Sequence, residues 1–217
     1  RETERMPDAE TTAIEIRTLA SVLSGVGIAS LVGVPLGAWL GMARAWGTSV
    51  LRALVLASMG LPPVVVGFVI HRLVRQQGPL GSLGWEHTPT AMVLAQVVLA
   101  LPWVVGLTML AVASVPRERV IQVRALGATL GQARRLLLYE RRQWVAVAVL
   151  AATGRGFSEV GAALIVGGDL PDRTRVLTTV LVANPDEGSL VLAVWLLVLV
   201  LSLNILVGRL AETDYPS

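Results

Sequence analysis

Five runs of mostly apolar residues, at about 18–41, 50–71, 90–113, 144–166 and 189–208, nearly exhaust a chain of 217 residues. Each is long enough to cross a hydrocarbon core of about 30 Å, which takes roughly 20 residues of helix. Inside that core no water satisfies backbone groups left outside a helix. The expected fold class is therefore all-α: a polytopic membrane protein of about five transmembrane helices, forming one domain over residues 1–217. A hydrophobic share of 54%, a charged share of 15% and a mean hydropathy of +0.68 are too apolar for an ordinary soluble domain of this length. The polar first 17 residues lack the basic-then-apolar pattern of a cleavable signal peptide, so the first run is expected to serve as the insertion signal.

Composition also excludes chemistry. The chain has no cysteine, which removes disulfides, thiolate catalysis and Cys-based metal sites. All 18 basic residues are arginine, and without lysine there is no phosphate-binding loop GxxxxGK[ST]. Any nucleotide hydrolysis belongs to a separate subunit. The sequence reading names no catalytic residue, no metal site, no cofactor held by this chain and no nucleic-acid partner. Gly156-Phe157-Ser158 superficially resembles the GxS of a membrane serine protease. A base for Ser158 is missing, because His71 and His87 lie near the 72–89 loop rather than in another span.

Arginine placement gives an orientation. Residues 116–142 carry Arg117, Arg119, Arg124, Arg134, Arg135, Arg141 and Arg142 against Glu118 and Glu140, whereas 167–188 holds four acids against Arg173 and Arg175. The positive-inside bias makes 116–142 cytoplasmic. The N-terminus is then expected outside, and the C-terminus, with Arg209, inside. The short 42–49 loop with Arg44 is expected to be cytoplasmic. The 72–89 loop is expected outside although it holds Arg72 and Arg75.

The helices carry features beyond anchoring. Gly33, Gly37 and Gly41 recur every four residues, as on faces where backbones approach closely. Pro35 is expected to kink the first span. Pro62 and Pro63 open the second, and Pro102 interrupts the third. Broken helices are common where a pathway runs through protein. Arg155 and Glu159, at i,i+4, are expected on one face near the middle of the fourth helix, where each alone would cost roughly 2.5–3.5 kcal/mol on insertion scales. Paired, they neutralise each other away from lipid. They read either as a structural ion pair or as a gate, with Glu159 repelling anions and Arg155 holding it in place.

The segment PRERVIQVRALGATLGQARRLLLYERRQW has Val120, Val123, Leu126 and Leu130 as an apolar stripe among arginines, with Gly127 and Gly131 as break points. It reads as a helix, a turn and a second helix leading into the next span. A basic helix lying on anionic lipid is the alternative, but it would need no glycine break. An elbow of this kind suits a groove on another protein.

RALGAT at 124–129 resembles the coupling-loop motif of ABC importer permeases, in which EAA and three residues precede a glycine, followed by nine residues, an aliphatic, one residue, Leu and Pro. Gly127 and Leu137 stand at the glycine and aliphatic positions. Ile121, Gln122 and Val123 replace Glu-Ala-Ala, and Tyr139 and Glu140 replace Leu-Pro. LPPVVVGF at 61–68, GPLG at 78–81, TPTAMVLAQ at 88–96, SEVGA at 158–162 and VGGDLPDRTRVLTT at 166–179 resemble the oxyanion branch of that family. The wording is most similar to the tungstate permeases, with molybdate and sulfate permeases next.

The resemblance implies a type I ABC importer permease fold in which this chain pairs with a second copy of itself in the inner membrane. The dimer receives an anion from an extracytoplasmic binding protein and is opened alternately to each side by a cytoplasmic ATPase dimer. It further implies ATPase coupling through Arg117, Val120, Val123, Arg124, Ala125, Leu126, Gly127 and Ala128. A pathway or gate would involve Pro62, Pro63, Arg155, Ser158, Glu159, Gly167 and Gly168, with Ser158, Thr178, Thr179 and backbone N–H groups near Gly167 and Gly168 as weak donors to the anion. A short surface helix fits between Arg173 and Ala183, ended by Asn184-Pro185, with Arg173 and Arg175 facing the binding protein. A membrane scaffold that transports nothing is the remaining alternative.

Overall fold

The computed structural model describes residues 8–43, 45–183 and 187–212, together with every side chain in them except those of residues 8, 9, 117, 187 and 188. Arg44 and Asn184-Pro185, singled out from the sequence, lie outside the described residues. Among the described residues ten α-helices follow one another: α1 Asp8–Met42, α2 Thr48–Ser58, α3 Pro63–Val74, α4 Pro89–Ala113, α5 Arg117–Ala125, α6 Leu130–Glu140, α7 Arg142–Phe157, α8 Gly161–Gly167, α9 Leu177–Ala183 and α10 Glu187–Glu212. A 3-10 turn, Gly81–Leu83, lies between α3 and α4. Among the described residues there is no strand.

Among the described residues three helices, within α1, α4 and α10, are long and apolar enough to cross a membrane alone, and the number is five if each of two bent pairs is one span. The second and fourth runs are therefore not single helices, as the sequence suggested. The chain bends by 99° between α2 and α3 and by 62° between α7 and α8. Pro62 and Pro63 explain the first bend. Pro62 is extended, at φ −66° and ψ 122°, and Pro63 takes the first helical position of α3, where a missing N–H costs nothing. Pro35 and Pro102 act differently, since α1 and α4 run through them without a break in the helix.

Helix α4 is the hub, touching α1, α2, α3, α7 and α8. The glycine row of α1 lies along it. A Cβ built on Gly33 would meet Val104 at 2.9 Å, one on Gly37 the carbonyl oxygen of Val105 at 2.6 Å, and one on Gly41 Val112 at 2.8 Å. Close approach is thus the reason for the spacing. Val22, Val26 and Ala29 of α1 pack with Ala100 and Val104 of α4 and Ala152 and Phe157 of α7. On the other side of α4, Val66 and Ile70 of α3 pack with Ala95, Leu99, Ala162 and Val166.

A charge in the second apolar run has a structural use. Arg52 of α2 donates from Nε and Nη2 to the carbonyl oxygen of Leu40, at 3.0 and 2.7 Å, and from Nη2 to that of Ala43. These carbonyls lie in the last turn of α1 and just past its end, where backbone acceptors are left over.

The elbow forms as the sequence suggested, except at Gly131, which sits inside the first turn of α6 and breaks nothing. Gly127 adopts φ +90°, a conformation that glycine enters without steric cost. Thr129 and Gln132 then form a capping box that starts α6: the Thr129 hydroxyl accepts from the Gln132 N–H at 3.3 Å, and the Gln132 side chain accepts from the Thr129 N–H at 2.8 Å. Leu137 anchors the elbow against Ala38 and Val112, with Val120 half-buried beside them. Glu140 pairs with Arg119 at 3.4 Å and ties α6 to α5.

Candidate functional site at the break between α7 and α8

Glu159 does not lie on a continuous helix face with Arg155. It sits in the three-residue break after Phe157, where α7 has ended and α8 has not begun. The pair still forms, with Arg155 Nη1 3.7 Å from Glu159 Oε2, and the Glu159 side chain is only 3% exposed. Its Oε1 accepts the Ala162 N–H at 2.6 Å, one of the donors left over at the start of α8. The backbone of Glu159 is held as well, because the Thr178 hydroxyl donates to its carbonyl oxygen at 2.9 Å. The carboxylate of Glu159 therefore starts α8 and neutralises Arg155, while its backbone is fixed from α9.

Two clefts flank this carboxylate. One is lined by Gln96, Leu99, Ala100, Ala152, Arg155, Gly156 and Glu159. The other runs between Thr18, Ser21, Met92, Gln96, Glu159, Ala163 and Thr178, among others. Gln96 borders both. It is buried at 6% exposure, and its amide makes a long contact, 3.5 Å, to the Gly156 carbonyl oxygen. A Cβ on Gly25 would run into Gln96, and one on Gly156 would come within 3.1 Å of its Oε1. The sequence reading missed Gln96, Thr18 and Ser21. Gln96 ends the TPTAMVLAQ motif, and a lone amide inside an apolar run was the available signal.

The two bends meet. A Cβ on Gly67 of α3 would come within 2.7 Å of the Ala162 Cα in α8, and Gly161 faces Val64. Pro62 and Pro63 themselves border neither cleft; their part is to aim α3 at α8.

Several residues expected to offer free donors are already engaged. Ser158 is exposed, and its hydroxyl donates to Gly154 at 3.0 Å. Thr179 donates to the Val176 carbonyl and accepts from the Val176 N–H. Gly167 and Gly168 close the C-terminal end of α8, where carbonyls rather than N–H groups are left over, and the Gly168 N–H goes to Leu164 at 2.9 Å. Thr178 alone of this group borders a cleft.

The segment before α9 shows the same contrast. Arg173 is exposed. Arg175 is turned inward, 3.4 Å from Glu10 and 3.5 Å from Asp169. The short helix expected between Arg173 and Ala183 is present as α9, with Leu177, Thr178, Thr179 and Val180 buried. The Leu177 N–H donates to Thr18 of α1, so α9 is packed into the bundle.

At the elbow Val120 and Val123 are half-buried, whereas Arg124, Ala125, Gly127 and Leu130 are exposed and Ala128 is half-buried. The apolar stripe expected there is split. Leu126 is 89% exposed and Ile121, which the sequence reading did not select, is 64% exposed. Arg117 opens α5.

Apolar helices long enough to span a membrane, broken around buried polar groups, and an elbow with exposed apolar side chains define a class: multi-pass membrane proteins. Residues 33–212 match the family described as binding-protein-dependent transport system inner membrane component, and the chain belongs to that family. It is 36% identical over 198 residues, 87% of this chain and 85% of the other, to a probable anion ABC transporter permease of Haloferax volcanii. It is 31% identical over 193 residues, 85% of this chain and 83% of the other, to the tungstate uptake system permease TupB of Peptoclostridium acidaminophilum. Identity to the TupB permease of Campylobacter jejuni is 31% over 167 residues, 75% of this chain and 70% of the other. The all-α architecture is that of a type I ABC permease in the inner membrane, a subunit of a system that also uses an ATPase and a substrate-binding protein.

Proposed function

We propose that this chain is the permease subunit of an ATP-driven importer for a tetrahedral oxyanion, tungstate first. It works as a homodimer in membrane lipid, with its C-terminus cytoplasmic, and carries no catalytic centre of its own. The ATPase dimer docks on 117–128. The binding protein delivers the anion at the opposite end, near Arg173 and Arg175. The observation that carries the pathway is the polar junction of Gln96, Arg155, Glu159 and Thr178 at the break between α7 and α8, bordered by clefts on both sides. The anion assignment is supported by the tungstate permeases among the relatives.

Nothing in the junction demands bond chemistry. An oxyanion crossing a low-dielectric bundle needs donors that replace part of its hydration and release it again, and the loosely held Gln96 amide and Arg155, neutralised by Glu159, are placed to do so. Molybdate is the second reading, since a probable molybdenum permease of Haloferax volcanii is 34% identical over 158 residues, 71% of this chain and 58% of the other.

Proteoliposomes holding the chain, its ATPase and its binding protein test this. ATP-dependent uptake of tungstate, inhibited by excess tungstate more strongly than by molybdate or sulfate, is expected. Equal competition by molybdate would move the cargo to the second reading. Absence of ATP-dependent anion uptake would overturn the proposal in favour of a scaffold.

A further inference from the structure

The chain has two histidines in all, and the fold sets them side by side. His71 lies in the last turn of α3 and His87 just before α4; their ring centroids are 5.3 Å apart, with planes tilted by 40°. Glu86 joins them. One ligand atom from each of His71, Glu86 and His87 lies within 4.8 Å of the other two, and all three residues are half-buried.

Four details say that this meeting is not ordinary packing. The Nδ1 atoms of both histidines are buried without a hydrogen-bond partner, although buried polar atoms are nearly always paired. His87 is held at φ +51°, an uncommon conformation for a residue with a side chain. Gly168, at φ +72°, leaves room for that ring, since a Cβ there would meet His87 Nδ1 at 2.7 Å. Glu86 is oriented too: its Oε2 accepts the Gln76 N–H at 3.1 Å, leaving Oε1 for another partner.

We propose that His71, Glu86 and His87 form a binding site for a divalent transition cation of the Zn²⁺ type. Two imidazoles with one carboxylate are a borderline donor set that suits Zn²⁺ and its neighbours, whereas Ca²⁺ and Mg²⁺ call for oxygen. Bonds of about 2.0–2.2 Å put tetrahedral donors roughly 3.3 Å apart. The trio must therefore tighten by about 1.5 Å at its widest, a distance that side-chain rotation covers. The ion ties the end of α3 to the start of α4 beside the end of α8, and α4, at about 1.5 Å per residue, places it the length of that helix away from the elbow. It is separate from the junction at Glu159.

The test uses the full chain in detergent, purified without a histidine tag. Titration with Zn²⁺ against a chelating dye is expected to give one ion per chain, and Co²⁺ substitution the visible bands of nitrogen- and oxygen-ligated cobalt. His71→Ala and His87→Ala should each weaken binding at least about tenfold, the scale on which even supporting groups around a metal act. Zn²⁺ should raise the melting temperature of the wild type and not of Glu86→Gln or His87→Asn. If a variant folds poorly, the cobalt spectrum and stoichiometry of the wild type decide. Wild-type binding well below one ion per chain, or equal binding by well-folded variants, would overturn the site.

Discussion

At the scale of single residues, Glu159 shows how one buried acid is kept in a membrane protein. Its carboxylate accepts from Ala162 and faces Arg155, so removing it leaves a donor and a cation uncompensated. Glu159→Ala is expected to cost about 1–3 kcal/mol from the orphaned N–H alone. Glu159→Gln keeps an acceptor for Ala162 and removes only the charge. It should melt close to the wild type in detergent and, if the carboxylate gates, leak tungstate without ATP. A Gln variant as tight as the wild type would reduce the pair to a structural role. Exchanging the two charges would not isolate the pair, because Glu159→Arg also removes the acceptor that starts α8. The glycines of α1 give a second expectation at this scale. A side chain at Gly37 meets the Val105 carbonyl and Thr108, so Gly37→Val should lower the melting temperature by an overpacking penalty of about 1–3 kcal/mol.

Among the elements, the elbow was the most legible, because its cues are local: Gly127 for the turn and arginines around a short helix, although the sequence reading missed the Thr129 cap and expected a break at Gly131. The α2–α3 break was half legible, since Pro62 and Pro63 mark a discontinuity but not a bend of 99°. The α7–α8 break was misread as continuous helix because no proline stands there. It depends on Thr178, 19 residues further on, donating to Glu159. Gln96 stayed hidden for the same reason, as its burial depends on glycines at 25 and 156. For the elbow, Gly127→Val finds open space but the wrong φ, so strain of roughly 1–2 kcal/mol stays local. The variant should insert normally and lose ATPase co-purification and anion-stimulated hydrolysis. Leu126→Asp, changing a side chain that is 89% exposed, should do the same without backbone strain. Intact coupling in both would show that docking lies elsewhere.

For the whole molecule, we propose that the ATPase, acting at the elbow, turns the junction at Glu159 from one side of the membrane to the other. The contact chain runs from α6 through α1 and α7 to α4 and α8, and tightly packed helices move as units rather than by continuous deformation. Since the chain has no cysteine, a single one reports on its own position. Ala163 borders the cleft beside Glu159, while Leu197 of α10 is exposed on the outer face of the bundle. The direct measurement is labelling of Ala163→Cys by a membrane-impermeant thiol reagent added to either side. It is made on the assembled transporter, with and without ATP bound to a hydrolysis-deficient ATPase partner. The account predicts that reactivity at 163 switches sides on ATP binding while Leu197→Cys stays unchanged; reactivity at 163 from the same side in both states would contradict it.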